Sequence, residues 1–150
     1  GTDPVLDILV EGMGHINFAQ FMIDRKGITD RVTLNGMTLM NWETFLLPMS
    51  PTFAKQATDL KTLTSEGKQA VFFKGIFQLE KTGDTFFDMS NYSKGMLYVN
   101  GHLLGRYWNI GPQQRLYCPA SWLHKGENEV IVFDLHQMHE ATINGKTSLE

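Results

Sequence analysis

The sequence has 150 residues, of which 42% are hydrophobic and 19% are charged, and its formal net charge is −3. This composition is typical of one globular domain, or of one domain with a fragment of a neighbour, and not of a disordered chain. Acidic and basic residues are interspersed, so the charge pattern does not predict a nucleic acid partner. No apolar run is long enough for a membrane span, and no signal peptide opens the sequence. Because Cys118 is the single cysteine, an intrachain disulfide is excluded.

The first third of the sequence predicts few regular elements. Residues 5–11 are mainly apolar and predict a first strand, and residues 15–30 predict a long loop. Two short apolar runs at 32–34 and 37–39 flank Asn35-Gly36, a pair that favours a tight type I′ hairpin. Ser50 followed by Pro51 is typical of a helix start, and the pattern over 51–66 predicts a short helix or an ordered linker.

From residue 69 onward the pattern is that of β structure. We expect strands over 70–79, 85–89, 96–99, 102–107, 115–118 and 129–135, the last of them in the centre of a sheet. Gly75 predicts a bulge or a close backbone approach, and Asn100-Gly101 predicts a second tight hairpin. A single helical turn at 119–123 and a reverse turn at 125–128 complete the series. Many short strands with little helix indicate an all-β fold, which we expect to be a jelly-roll β-sandwich.

The densest chemistry lies in the four consecutive residues Arg106, Tyr107, Trp108 and Asn109. Sugar sites combine an aromatic face, which packs on the C–H face of the ring, with planar polar groups that bind its hydroxyls. These residues, with Trp122 as a fifth, are therefore candidates for carbohydrate binding. The alternative is structural: Trp108 would fill the end of the sandwich, and Arg106 would connect two loops through backbone carbonyls.

The sequence does not predict a catalytic site, a metal site or a cofactor. Asp84 with Asp88, and Glu127 with Glu129, are the nearest carboxylate pairs, but proximity in sequence does not set the separation that glycoside hydrolysis needs. The pair at 127 and 129 is expected to face solvent. His136 and His139 have a helical ligand spacing without further ligands, and a solvated tail explains them better. Cys118 is expected to be a buried, small apolar residue.

The sequence from 84 to 135 resembles the C-terminal galactose-binding-like domain of the β-galactosidases of glycoside hydrolase family 35. The matching residues are Asp84-Thr85-Phe86, Asp88-Met89-Ser90, Lys94-Gly95, Val99-Asn100-Gly101-His102, Leu104-Gly105-Arg106-Tyr107-Trp108, Ile110-Gly111-Pro112-Gln113-Gln114, Leu116-Tyr117, Pro119, Trp122-Leu123, Lys125-Gly126-Glu127-Asn128-Glu129 and Ile131-Val132-Phe133. The N-terminal part resembles the end of an earlier β-domain of the same family. Its matching residues are Leu6-Asp7-Ile8-Leu9-Val10-Glu11, Met13-Gly14, Ile16-Asn17-Phe18, Asp24-Arg25-Lys26-Gly27-Ile28, Leu34-Asn35-Gly36 and Trp42-Glu43.

This resemblance implies a non-catalytic accessory domain of a β-galactosidase that cleaves terminal β-D-galactosyl residues with retention. The catalytic glutamates of such a parent lie on a (β/α)₈ barrel, so the implied partners are that barrel and a sister β-domain, and the parent is expected to be secreted or periplasmic. Two arrangements remain open: one sandwich over 1–150, or a tail of a preceding domain over 1–47 with the main jelly roll over 70–139. A second function, a carbohydrate-binding module with weak affinity for galactosides, is the alternative to a structural role. His15 and Cys118 depart from the family pattern, in which Arg and Val are common.

Overall fold

The computed structural model describes residues 4–12, 14–60, 70–137 and 139–149 of the chain. The chain divides into two units, Gly1–Leu46 and Leu47–Glu150. Each unit has its own secondary structure, and the larger, second unit contains every long strand of the described residues.

In the first unit the described residues form one short 3-10 helix and one hairpin. The 3-10 helix covers Ala19–Ile23, within the segment for which the sequence predicts only a loop. Strands β1 (Thr33–Leu34) and β2 (Met37–Thr38) pair antiparallel, and Asn35-Gly36 connects them with φ angles of 49° and 82°. These positive angles are those of a type I′ turn, so the predicted hairpin is confirmed.

The strand predicted over 5–11 is wrong. The described residues there have no strand pairing, and the apolar side chains lie at the surface, with Val5 83% exposed. An alternating apolar segment becomes a strand only when a neighbouring strand satisfies its backbone. None of the described residues of this unit provides such a neighbour for the segment.

The second unit is a sandwich of two antiparallel sheets, and the expected all-β sandwich is confirmed. A four-stranded sheet has the order β3-β8-β5-β6, and a three-stranded sheet has the order β7-β4-β9. The strands are β3 (Val71–Leu79), β4 (Thr85–Asp88), β5 (Lys94–Val99), β6 (His102–Trp108), β7 (Arg115–Cys118), β8 (Gly126–Asp134) and β9 (Asn144–Lys146). Strand β8 lies between β3 and β5, in the central position that its continuous apolar run predicts.

The main core fills the space between the two sheets. Alternate residues of each strand point inward, for example Leu97 and Val99 of β5, while Met96 and Tyr98 point to the other face. Burying each large apolar side chain contributes about 1.5–3 kcal/mol, so this layer is the principal stabilising element. Its buried members are Phe87, Met89, Tyr92, Leu97, Val99, Tyr107, Leu116, Cys118, Leu123 and Val132.

A short α-helix packs on the outer face of the four-stranded sheet. Helix α1 (Pro51–Asp59) begins after Ser50, whose hydroxyl accepts a hydrogen bond from the Phe53 amide at 3.2 Å. Ala54 of this helix is fully buried against the sheet. The Tyr98 hydroxyl donates a hydrogen bond to the Met49 carbonyl at 2.7 Å and so connects the helix start to β5. The predicted helix is confirmed over these residues, while residues 61–66 of the predicted segment lie outside the described part of the chain.

Strands β5 and β6 contain both a predicted turn and an unpredicted bulge. Asn100 and Gly101 connect them with φ angles of 48° and 77°, as the Asn-Gly pair predicts. The register shifts where Leu97 pairs with Gly105 and Tyr98 pairs with Leu103, which leaves Leu104 as the extra residue of a β-bulge. At Gly75 the predicted bulge is wrong, because β3 pairs with β8 in regular register, and the neighbour that a Cβ there would meet is a side-chain atom, Val130 Cγ1 at 3.3 Å, and not the predicted backbone.

Two further sequence expectations differ from the structure near the end of the chain. Strand β8 begins at Gly126, within the segment predicted to be a reverse turn. Strand β9 falls beyond the last predicted strand, in a segment that has no β-branched or aromatic residue. Among the described residues, no helix is long and apolar enough to cross a membrane.

The left-handed conformation of Gly101 generates a stability prediction. We expect Gly101→Val to reduce the free energy of unfolding by about 1–3 kcal/mol, because a β-branched residue is strained at positive φ. Gly83→Val is the matched control: both glycines have open space where a side chain would begin, but Gly83 is not in the left-handed region. Urea unfolding of both variants measures the difference. Equal stabilities of the two variants would contradict the turn geometry.

Candidate functional site

The strand geometry separates the consecutive candidates Arg106, Tyr107 and Trp108. Within β6, successive side chains point to opposite faces of the sheet. Tyr107 points into the core and is 2% exposed. Arg106 and Trp108 pair with Met96 and Lys94 of β5 and lie on the outer face. One candidate of the three is therefore inaccessible to a ligand, and the other two share a surface.

Tyr107 is part of a buried hydrogen-bonding network. Its hydroxyl donates to the Phe133 carbonyl at 2.9 Å and lies 3.0 Å from Asp134 Oδ2. Burial and the neighbouring Asp134 charge raise the pKa of Tyr107 far above its usual value, so it stays protonated. Gly95 makes this arrangement possible, because a Cβ at that position would lie 2.8 Å from the hydroxyl oxygen and 1.7 Å from the Phe133 carbonyl oxygen.

Trp108 and Asn109 lie at the end of β6. The Lys94 ammonium lies over the indole ring of Trp108, 4.1 Å from the ring centroid, which is within the range of a cation–π interaction. The Asn109 amide donates to the Ser93 carbonyl at 2.7 Å, and its own carbonyl accepts from Gln114 Nε2 at 2.8 Å. The backbone of Asn109 thus connects two loops, while its side chain is exposed.

Trp122 lies at the opposite end of β6 from Trp108. It belongs to a 3-10 turn, Ala120–Trp122, and its ring stacks on that of His102 with centroids 4.3 Å apart and planes at 9°. His102 is the first residue of β6 and Trp108 is the last, so six residue steps separate them by about 20 Å. The Trp122 carbonyl also accepts a hydrogen bond from Asn100 Nδ2 at 2.7 Å. The five predicted sugar-binding residues therefore do not surround one pocket.

The carboxylates of the candidate pairs are engaged in local contacts. Asp84 Oδ1 accepts from the Ala120 amide at 2.9 Å, which connects the loop before β4 to the 3-10 turn. Asp88 Oδ1 accepts from the Ser90 amide at 3.1 Å, and hydrogen bonds from Ser90 and Arg115 lower the pKa of Asp88. Glu127 is exposed, as predicted.

Glu129 differs from its expected solvated position. Its Oε2 lies 2.9 Å from Lys74 Nζ across β3 and β8, and this contact raises the pKa of Lys74. The described residues contain no group of three or more His, Cys, Asp or Glu side chains that could hold a metal ion.

The single cysteine, Cys118, is part of the core. Cys118 is fully buried in the core, as expected, and burial raises the pKa of its thiol to about 11. At neutral pH this thiol is protonated, and its burial makes it unreactive.

A feature that the sequence does not reveal is an apolar groove between the two sheets. It encloses about 520 Å³ and opens between β3 and β9. Inward-facing side chains of β3, β4 and β8 form its walls, among them Phe73, Phe77, Phe87, Val130 and Val132. Sequence patterns identify these residues as core, but they do not show that the core is open on this side.

Two family models match the chain in separate segments. Residues 70–128 match the β-galactosidase galactose-binding domain, and residues 1–48 match the first all-beta domain of β-galactosidases. The chain belongs to the accessory β-domains of the β-galactosidases. The first match ends at the central strand β8 and includes β3 to β7, and the second covers the first unit.

Individual β-galactosidase sequences match most of the chain but only a small part of their own length. Beta-galactosidase-1-like protein 2 of Homo sapiens is 39% identical over 87% of this chain and 21% of the relative. Beta-galactosidase 17 of Arabidopsis thaliana is 35% identical over 92% of this chain and 22% of the relative. Beta-galactosidase 1 of Dictyostelium discoideum is 33% identical over 86% of this chain and 20% of the relative. The chain therefore spans about a fifth of the length of the curated relatives it matches.

The buried hydroxyl of Tyr107 generates a prediction that distinguishes a structural role of this residue from a ligand-binding one. Tyr107→Phe is expected to reduce the free energy of unfolding by about 1–3 kcal/mol, because the buried Phe133 carbonyl and Asp134 carboxylate lose a donor. Tyr117→Phe is the control, since this tyrosine is 48% exposed on β7 and loses only a surface hydrogen bond with Asp84, which water replaces. A surface change of this kind costs about 0.5 kcal/mol or less. Denaturant unfolding measures both, and an equal effect of the two changes would exclude the anchoring role.

Proposed function

We propose that this chain is a structural, non-catalytic part of a larger retaining β-galactosidase of glycoside hydrolase family 35. In this proposal the catalytic glutamates lie on a (β/α)₈ barrel elsewhere in the protein, and the sandwich packs against that barrel or a sister β-domain. The observation that carries the proposal is that polar side chains of the sandwich bind other residues of the same domain. Asp84, Asp88, Tyr107 and Glu129 all have partners within the domain.

The first unit supports a role in a larger assembly. Many of its apolar side chains are exposed, and soluble domains rarely leave such a surface uncovered. We infer that residues 1–47 form the tail of a preceding β-domain, whose other strands cover these side chains, and that residues 70–139 form the main jelly roll. The strongly exposed apolar residues include Val5, Phe18, Ile23, Met40, Phe45 and Leu46.

Carbohydrate binding is a second candidate function, which rests on the outer face of β6. Arg106 and Trp108 lie on this face, with Asn109 exposed beside them, and the matched family model carries galactose binding in its description. The Lys94 ammonium lies against one face of the indole, so a sugar would have to stack on the other face or displace the lysine. Tyr107 and Trp122 would not participate, because the first is buried and the second lies at the far end of the strand.

The non-catalytic role predicts the activity of the isolated chain. The 150-residue chain is expected to release no chromophore from a nitrophenyl β-galactoside above a buffer blank, because its carboxylates do not form an acid–nucleophile pair. The full-length protein is expected to hydrolyse the same substrate. Its Asp88→Asn and Glu127→Gln variants should retain kcat within about twofold, since neither side chain touches the substrate. Turnover by the 150-residue chain that disappears when the same chain carries Asp88→Asn or Glu127→Gln would overturn the proposal.

The choice between a structural and a sugar-binding role for Trp108 is open to a direct test. We expect Trp108→Ala to cost about 1–3 kcal/mol, less than a fully buried tryptophan, because the ring is only half-buried. Galactose at millimolar concentration should leave the tryptophan fluorescence of the wild-type chain unchanged.

Arg106→Lys separates the alternatives further, since it retains the charge but removes the planar guanidinium. A saturable galactose titration that weakens in Arg106→Lys and is lost in a fully folded Trp108→Ala would establish the second candidate function.

A further inference from the structure

The sandwich is closed on one side and open on the other. Strands β6 and β7 lie against each other and close one side. On the other side β3 and β9 are the edge strands of their sheets, and the apolar groove lies between them. The core of the domain is thus accessible to solvent along this side.

The number of strands in the two sheets indicates that the open side has room for a further strand. A complete jelly roll has eight strands in two sheets, whereas the described residues of this sandwich form a four-stranded and a three-stranded sheet. Strand β9 pairs on one side with β4, and among the described residues no strand pairs with its other side. The unfilled position of an eighth strand lies beside β9, at the mouth of the groove.

The residues that line the groove favour an apolar segment of polypeptide as its occupant. Its walls are almost entirely apolar, with Lys74 and Glu140 as the charged residues of the lining. A small-molecule site normally has several convergent polar groups that fix the orientation of the ligand. Here the available polar groups are the unpaired backbone amides and carbonyls of an edge strand, which bind an added strand.

A second copy of the chain does not fit this groove through β9. The residues of that strand are Asn144, Gly145 and Lys146, and Gly145 is the one that faces the groove. A β9 strand from another molecule would therefore bring no apolar side chain into the space. The occupant must have apolar residues at every second position, which β9 lacks.

We propose that the groove holds an extended segment of the same polypeptide from outside these 150 residues, added beside β9 as the eighth strand. About four fifths of the length of the matched β-galactosidases lies outside the region that this chain covers, so the parent has ample sequence to provide it. The segment places apolar side chains against Phe73, Phe77 and Ile143 and pairs its backbone with β9. This inference rests on the proposal that the chain is part of a larger protein.

Hydrogen exchange of the full-length protein and of the 150-residue chain tests the inference. We expect peptides that contain β9 to exchange at least about tenfold more slowly in the full-length protein, because paired and covered amides open only with the local structure. Equal exchange in the two proteins would overturn the inference. Protection of β9 that appears in the isolated chain as its concentration rises would also overturn it, because a second copy would then be the occupant.

A photoreactive amino acid in place of Ile143 identifies the occupant in the full-length protein. Mass spectrometry of the cross-linked peptides is expected to find a segment outside these 150 residues with alternating apolar residues. Cross-links only to residues within the 150, to a second molecule in an isotope-mixed sample, or to a co-purifying small molecule would each contradict the proposal. Leu103, 41% exposed on the opposite side of the sandwich, is the control position and should not link to the same segment.

A pair of substitutions compares the stability of the full-length protein with that of the isolated chain. Ile143→Glu is expected to lower the melting temperature of the full-length protein more than that of the isolated chain, where the groove is open to water. Leu103→Glu should affect both proteins equally. Hydrolysis of the nitrophenyl substrate by unmodified full-length protein is measured separately, so failure of the strand proposal and failure of the proposed function give different results.

Discussion

The carboxylate of Asp134 lies at the end of the central strand β8 with no exposed surface. One of its oxygens accepts the amides of Ser93 and Lys94 and the hydroxyl of Tyr107, and the other accepts the amides of His136 and Gln137. A buried charge is tolerated only when hydrogen bonds replace its hydration, and here four backbone amides do so, together with the hydroxyl proton that Tyr107 shares between Asp134 and the Phe133 carbonyl. Because these donors belong to the start of β5, the end of β6 and the segment after β8, one side chain fixes three parts of the four-stranded sheet.

A second polar network stabilises the other end of the same sheet. Asn128 is 1% exposed, its Nδ2 donates to the His124 carbonyl at 2.8 Å, and its Oδ1 accepts from Asn100 Nδ2 at 2.8 Å. Asn100 in turn accepts from the Glu129 amide at 2.9 Å. The hairpin turn of β5 and β6 is thereby connected to the start of β8. The buried polar side chains Asp134 and Asn128, at the two ends of the sheet, thus both form hydrogen bonds within the domain. Such a distribution suits a domain that acts by packing.

Local signals in the sequence predict the elements that depend on local physics. Both Asn-Gly turns and the Ser50 cap are correct because the conformation of these residues depends on their immediate neighbours. The segment over 5–11 and strand β9 fail in opposite directions for one reason: pairing with a distant strand decides whether a segment is β, and composition does not. The structure separates the candidate residues 106, 107 and 108, because the two-residue period of a strand places sequence neighbours on opposite faces. The sequence does not predict the groove, since it depends on how the edge strands β3 and β9 of the two sheets are placed in space.

The bulge at Leu104 and Gly105 decides which side chains of β6 reach the interior. It shifts the alternation by one position, so that Leu104 and Tyr107 both face the core, although they are three residues apart. In an uninterrupted strand, placing Leu104 inward would direct Tyr107 outward and turn Arg106 and Trp108 towards the core. The bulge takes up Leu104 as one extra residue, and its removal would leave Gly105, Arg106 and Tyr107 paired with Leu97, Met96 and Gly95, with Arg106 still on the outer face. Within the β-galactosidase accessory domains that share this architecture, a one-residue deletion in β6 is therefore expected at the bulge, while longer insertions and deletions should fall in the connections around the strand.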